Sequence, residues 1–177
     1  MENKFKISTQ DLVLAAILSA LSIILTRFLS IMLTPALRIG LGTVPLMLVG
    51  LLFGPITGAC AGLVTDVIGV LINPQGSFHL GFTLSAVLTG MIPGLVCMLC
   101  NRVRSLNVNV FKIFLSVVLV YLGIHLILNT VWLSQLMGKA FYALVITRAL
   151  KVGIESVVCF GLLYLIIEQL IPRIRRR

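Results

Sequence analysis

A few charged side chains lie inside long apolar segments, and these are the residues whose chemistry most needs an explanation. The apolar segments are predicted below to be six transmembrane spans. Asp66 is the only acidic residue in the first five of them apart from Asp11, which lies at the membrane edge. Arg27, Arg148 and Lys151 also fall within predicted helices. Charged groups inside a membrane are costly, so they face a cavity or a partner. Asp66 could accept two hydrogen bonds from adjacent N–H groups of a ligand, or it could pair with Arg27 or another buried cation.

Four cations are predicted to gather toward the outer side of the membrane. A helix rises 1.5 Å per residue, which places Arg27, Arg148 and Lys151 in the outer halves of their spans, and Arg38 falls in an external loop. Such side chains can extend to the lipid headgroups, but four of them at similar depth favour an anionic ligand. Glu155 follows Lys151 by four residues, so these two can also neutralise each other.

The segment "HLILNTVWLSQ" carries polar side chains at three-residue steps. Asn129, Trp132 and Gln135 can share one helix face and could present an aromatic platform with two amides to a planar heterocycle. Trp132 could equally belong to an interfacial aromatic belt. His125, one turn deeper, is interpreted as a packing residue.

The elements that must position these residues are transmembrane helices. The chain has 177 residues, of which 59% are hydrophobic and 11% charged, with a mean hydropathy of +1.16. An apolar stretch of about 20 residues crosses a membrane as a helix. We predict an all-α integral membrane protein, a single domain over residues 1–177, with six transmembrane helices in one bundle at 11–33, 39–53, 55–72, 79–101, 111–136 and 143–171. The Gly54-Pro55 turn signal favours two helices over one broken helix between 39 and 72.

The distribution of positive charge predicts the orientation. With six spans, most of the 14 lysines and arginines fall on one side, together with both termini, and the positive-inside rule makes that side cytoplasmic. The N-terminal apolar run is longer than a signal peptide and is interpreted as a retained helix. No basic stripe is interleaved with aromatic residues, so the net charge of +9 does not predict nucleic-acid binding.

The sequence shows no pattern for catalysis or for a metal site. Cys97 and Cys100 form a Cys-x-x-Cys without a second pair or a nearby His, which leaves a zinc ligand set incomplete. There are no paired acids, no Ser/His/Asp arrangement and no P-loop. We therefore predict no enzymatic activity and no cofactor, and any ATP hydrolysis must come from a partner.

Small residues form a second pattern on two of the predicted helices. Ala16 and Ala20 make a small-x-x-x-small step on the first helix, and Gly58, Gly62 and Gly69 give the third helix a similar surface. Such faces allow helices to approach closely. The spacing does not separate packing inside the bundle from docking of another protein.

Taken together, the segments "AAILSALS", "RIGLGTVPLMLVGLLFGPITGACAGLVTDVIGVLI" and "NPQGSFHLGFTLSAVLTGMIPGL" resemble the substrate-binding S components of energy-coupling factor (ECF) vitamin transporters. The resemblance covers nearly the whole chain and is strongest from Arg38 to Leu95. Within that group the "GFTLSA" block is similar to the folate-specific branch. The Ala16 and Ala20 step matches the family's alanine motif, through which S components dock on the transmembrane T component.

The resemblance implies that the protein captures folate from outside and works with a T component and two ATPases, in the cell membrane of a bacterium. It also implies that the external loop at about Leu33 to Gly42 closes over the site, and that the loop from Asn73 to His79, including Gln75, helps to line it. On this basis we expect Asp66 to face the pterin and Trp132 or Phe82 to stack on it. We expect Arg27, Arg38, Arg148 or Lys151 to bind the glutamate carboxylates.

Several alternatives stay open on the sequence. The loop from Asn73 to His79 could be a plain interhelical turn. The ligand could be riboflavin, thiamine or a queuosine precursor. The chain could also be a solitary proton-coupled carrier with Asp66 as the proton site, although no inverted repeat is visible. A membrane enzyme acting on a lipid or isoprenoid would need clustered acids for a metal, which the sequence lacks.

Overall fold

The structure, a computed structural model, describes residues 8–34, 37–74, 79–100, 108–138 and 140–174. Its elements in chain order are α1 (Thr9–Arg27), β1 (Ile31–Thr34), β2 (Leu37–Ile39), α2 (Thr43–Phe53), α3 (Pro55–Ile72), α4 (Leu80–Cys100), α5 (Val108–Val118), a π-helical segment (Leu119–Leu128), α6 (Asn129–Met137) and α7 (Phe141–Ile174). The π-helical segment joins α5 and α6 into one continuous span.

The predicted membrane-type helical bundle is confirmed. Among the described residues, five helical spans are long and apolar enough to cross a membrane, and α2 is a shorter apolar helix. The outer surface carries large apolar side chains, among them Leu71, Tyr142, Ile146 and Leu150. A surface of this kind is suited to lipid rather than to water.

Local sequence signals explain where several helices begin and end. Ser8 caps α1 by accepting a hydrogen bond from the backbone N–H of Gln10, while the Asp11 carboxylate accepts one from the Ser8 N–H at 3.2 Å, which is the reciprocal capping arrangement. Gly54 has a φ of 91°, a conformation that favours glycine, and Pro55 occupies the first turn of α3. The prediction of two helices around Gly54-Pro55 is therefore confirmed.

The prediction that the first helix runs to residue 33 is wrong at its end. The backbone N–H groups of Phe28 and Leu29 both bond to the Ile24 carbonyl, which closes α1. The next residues form a short antiparallel hairpin in which Ile31 pairs with Ile39. A short apolar run fits a strand as well as a helix, and here the pairing with β2 decides the outcome.

Three of the helices pack through a glycine seam, formed by Gly50 of α2, Gly58 and Gly62 of α3, and Gly90 and Gly94 of α4. A Cβ atom on Gly58 or Gly90 would overlap the backbone of the other residue, and one on Gly50 would overlap the Gly90 carbonyl. The small face predicted on the third helix is thus used for packing inside the bundle.

A second core joins the other half of the bundle to α2. Met47 of α2 packs with Val120 and Tyr121 of the π-helical segment and with Val152 and Cys159 of α7. All five side chains are buried. This core packs α7 and the π-helical segment against α2.

Candidate functional site

A nearly buried ion pair ties the C-terminal end of α1 to α3. The Arg27 Nη2 atom lies 3.2 Å from Asp66 Oδ1. The Arg27 side chain also donates to the Asn73 carbonyl at 3.5 Å, and the Asn73 amide donates back to the Arg27 carbonyl at 3.0 Å. These contacts fix the end of α1 against the end of α3, where Arg27 packs over Gly69.

Asp66 has a second partner on α4. The Thr83 hydroxyl donates to Asp66 Oδ2 at 2.7 Å, so each carboxylate oxygen accepts a hydrogen bond from a side chain of the bundle. Of the two interpretations drawn from the sequence, the structure shows the internal pairing of Asp66 with Arg27. The arrangement joins α1, α3 and α4 and compensates a charge that would otherwise be costly to bury.

An aromatic cluster forms where α4 begins beside α6. The rings of His79 and Trp132 lie 5.6 Å apart between centroids, and His79 meets Phe82 edge to face at 6.1 Å. Gly81 lies directly against the indole, since a Cβ atom there would overlap it. His79 Nδ1 accepts a hydrogen bond from the Gly81 N–H at 3.0 Å, which orients the imidazole. The structure thus brings together three residues that the sequence placed on two different elements.

The segment that follows the second strand of the hairpin is fixed to both sides of the bundle. Glu155 of α7 accepts a hydrogen bond from the Gly40 N–H at 3.1 Å. The Ser22 hydroxyl of α1 donates to the Gly42 carbonyl at 2.7 Å. The segment from Gly40 to Gly42 therefore bridges α1 and α7.

Lys151 and Glu155 form the ion pair that their spacing allowed. Lys151 Nζ lies 2.9 Å from Glu155 Oε2, and both side chains are nearly buried. The predicted pairing of Lys151 with Glu155 is confirmed, and a contact of Lys151 with ligand stays a prediction. Glu155 thereby connects a cation of α7 to the hairpin backbone.

Arg148 lies one turn closer to the start of α7 and contacts α6. It donates from Nη1 to the Thr130 hydroxyl at 3.1 Å. Its Nε atom is buried and has no hydrogen-bond partner among the described residues. Thr130, which sequence reasoning did not single out, is fully buried and positions this guanidinium.

Further polar atoms without partners in the described part of the chain lie nearby along the same span. His125 Nε2, Asn129 Oδ1 and Trp132 Nε1 are buried and unpartnered there. The Asn129 amide lies 3.5 Å from His125 Nδ1, and His125 stacks on Tyr121 with 4.9 Å between centroids. Buried polar atoms in native proteins nearly always have partners, so this group is suited to a polar ligand.

The π-helical segment was not expected from the sequence. It runs from Leu119 to Leu128, and such wide turns occur frequently at functional sites. His125 lies in this segment. The interpretation of His125 as a packing residue did not anticipate that its Nε2 atom is buried without a hydrogen-bond partner among the described residues. The signal available in the sequence was a single His on an apolar helix. Its spacing of four residues from Asn129 places the two side chains on one helix face.

The remaining residues of the predicted site lie away from these clusters or outside the residues that the structure describes. Gln135 is exposed and does not join Asn129 and Trp132 in the buried group. The side chain of Arg38 and all of Gln75 lie outside the described residues.

Ala16 and Ala20 are exposed on the surface of α1, beside the exposed side chains of Leu12 and Ile17. In the described ranges, no group of three His, Cys, Asp or Glu residues could hold a metal ion.

Comparison with known proteins places the chain in a transporter family. The family model for the S component of the ECF-type riboflavin transporter matches residues 6–172. The folate transporter FolT of Clostridium novyi is 37% identical over 82% of this chain and 83% of its own length. The folate transporter FolT of Leuconostoc mesenteroides is 28% identical, over 93% of this chain and 88% of its own length.

A solved structure agrees with these relatives. The crystal structure of FolT bound with folic acid matches with a TM-score of 0.75 and 28% identity, covering 89% of this chain and 92% of the other. The family and these relatives are transport proteins and not enzymes. The chain is thus a multi-pass membrane protein that belongs to the S-component family of ECF transporters.

Proposed function

We propose that this protein is the folate-binding S component of an ECF transporter. The observation that carries the proposal is its 37% identity, over most of both chains, with a folate transporter. The similarity to a FolT structure that contains folic acid gives independent support. The protein would bind the vitamin and would not transform it.

The chemistry of the described clusters suits folate. Its pterin is planar and carries hydrogen-bonding atoms at its edge, and its glutamate tail carries two carboxylates. The aromatic cluster of His79, Phe82 and Trp132 offers flat surfaces for a ring. The polar atoms of His125 and Asn129 offer hydrogen bonds, and the cations on α7 offer charge for the tail.

Riboflavin is the second candidate ligand, because the matching family model is described as a riboflavin transporter component. Riboflavin is also planar and could use the same aromatic cluster. It has no carboxylate, however, so its tail could not neutralise a buried cation. The charge of the ligand therefore separates the two candidates.

We place the protein in the cell membrane of a bacterium with both termini in the cytoplasm, where it associates with a T component and two ATPase subunits. The exposed step of Ala16 and Ala20 on α1 is the proposed docking surface for the T component, because small side chains let a partner helix approach closely. The absence of a P-loop in the sequence fits a subunit that relies on partners for ATP hydrolysis.

A ligand measurement on purified protein tests the proposal. The detergent-solubilised chain is analysed by mass spectrometry for retained small molecules and is then titrated with folic acid, riboflavin and thiamine. Folic acid is expected to bind with the highest affinity. Tighter binding of riboflavin, or retention of another vitamin in preference to folate, would contradict the proposed specificity.

A further inference from the structure

Arg27, Arg148 and Lys151 are cations of the described helices whose side chains are buried or nearly buried, and they differ in how their charge is compensated. Arg27 is paired with Asp66 at 3.2 Å, and Lys151 is paired with Glu155 at 2.9 Å. Arg148 forms no ion pair with any described residue. Its contact through Nη1 is with the neutral hydroxyl of Thr130.

Glu155 is the acidic residue closest in the sequence to Arg148, but its oxygens are already engaged. Oε2 accepts from Lys151 and Oε1 accepts from the Gly40 backbone. One carboxylate cannot neutralise two cations. The group formed by Arg148, Lys151 and Glu155 therefore retains one positive charge in excess.

The side chain that carries this excess positive charge is buried in the bundle. Arg148 is only 8% exposed, and its Nε atom has no partner in the part of the chain that the structure describes. Burying a cation without a counterion costs several kcal/mol. An arrangement of this cost is expected where an anion binds during function.

Unpartnered polar atoms on the neighbouring helix support a ligand at the same place. Thr130, which holds Arg148, directly follows Asn129, whose Oδ1 atom is buried and unpartnered. His125 Nε2, one turn earlier, is also buried and has no hydrogen-bond partner among the described residues. α7 packs against the π-helical segment that carries His125.

We propose that Arg148 is the specificity-determining residue that binds a carboxylate of the ligand through its Nε–H group, and so selects an anionic vitamin over a neutral one. This assignment rests on the proposed function and selects Arg148 among the buried cations. Arg27 and Lys151 are assigned to structural ion pairs. The ligand carboxylate would supply the counterion that the described part of the protein does not.

The test compares folic acid with its diamide, in which both tail carboxylates are converted to neutral amides, and it uses wild type, Arg148→Gln and Arg148→Lys. The wild type should prefer folic acid. A charge-assisted hydrogen bond contributes more than a neutral one, so Arg148→Gln should weaken folic acid binding by roughly 10- to 100-fold. It should leave diamide binding within about twofold. Arg148→Lys should restore part of the preference.

Thermal unfolding and a distant charge change serve as controls. Arg148→Gln removes an uncompensated charge, so it is expected to unfold at the same or a higher temperature than the wild type without ligand. Lys112→Gln on α5 removes one positive charge elsewhere and should leave both affinities unchanged.

The outcomes separate the two proposals. Equal losses for folic acid and the diamide, or no loss for either, would overturn the role of Arg148 while the proposed function stands. A wild-type protein that binds neither compound would overturn the proposed function, and the assignment of Arg148 with it.

Discussion

The guanidinium of Arg27 and the carboxylate of Asp66 lie 3.2 Å apart at the junction of α1, α3 and α4. Because Thr83 occupies the other carboxylate oxygen, Asp66 connects three helices near the proposed ligand region. These contacts give Asp66 a structural role, and a direct contact between Asp66 and ligand would require the pair to rearrange.

We expect Arg27→Gln and Asp66→Asn each to lower stability, because each leaves one buried charge without its partner. Breaking a buried pair costs about 3–5 kcal/mol. The double variant should lose less than the sum of the two single losses, as measured by thermal unfolding in detergent. Additive losses would show that the pair is not coupled, and a loss of folate binding by Asp66→Asn at unchanged stability would favour a direct contact with ligand.

The glycine seam predicts that Gly→Ala substitutions inside and outside it differ strongly in their effect on stability. Gly90→Ala should severely destabilise the protein, because its Cβ atom would overlap the Gly58 backbone. Gly153→Ala on α7 is the matched control, since nothing lies within 4 Å of its Cβ position. The control should be neutral or stabilising by up to about 1 kcal/mol, the usual helix preference of Ala over Gly. Similar melting temperatures for the two variants would contradict the close packing.

Trp132 gives a direct optical test of the aromatic cluster, because it is the single tryptophan of the chain. Ligand binding beside the indole should change its fluorescence. Gly81→Val should displace the ring and weaken folate binding by at least about tenfold, a loss of about 1.4 kcal/mol. Leu84→Val, at an exposed position on α4, is the control. An unchanged spectrum on saturation with folate would place the ligand away from Trp132.

Replacement of Ala16 and Ala20 by Leu should separate binding from transport. Both side chains are exposed, so larger ones should be accommodated without disturbing the bundle, while a partner helix could no longer approach closely. Folate binding by the isolated protein should persist, and uptake in cells with the complete transporter should be lost. A loss of binding as well would indicate packing inside the bundle.

The hydrophobic pattern predicted the bundle well because each span depends mainly on its own composition. The break at Gly54-Pro55 and the pairing of Lys151 with Glu155 follow from local spacing and are confirmed. The hairpin was missed because strand pairing between Ile31 and Ile39 is decided by contacts and not by the composition of the run. The cytoplasmic orientation of the termini stays a prediction.

The candidate site was harder to predict, because it depends on which helices are neighbours. Asp66, Trp132 and Arg148 were all singled out from their residue types. Their partners Thr83, Gly81 and Thr130 are common residues whose roles appear only when α3, α4, α6 and α7 are assembled. Hydropathy also carries no signal for a π-helical turn, so the position of His125 could not be anticipated.

The glycine seam has a consequence for how new ligand preferences can arise in proteins of this architecture. Where the backbones of α2, α3 and α4 touch, the contact positions have no room for any side chain, so they cannot vary without loss of the fold. Sequence divergence that alters the ligand must therefore avoid these positions and act through others, among them the start of α4, the π-helical segment, α6 and the first half of α7. The seam positions are thereby constrained to stay glycine, while the positions around the proposed ligand region are free to diversify.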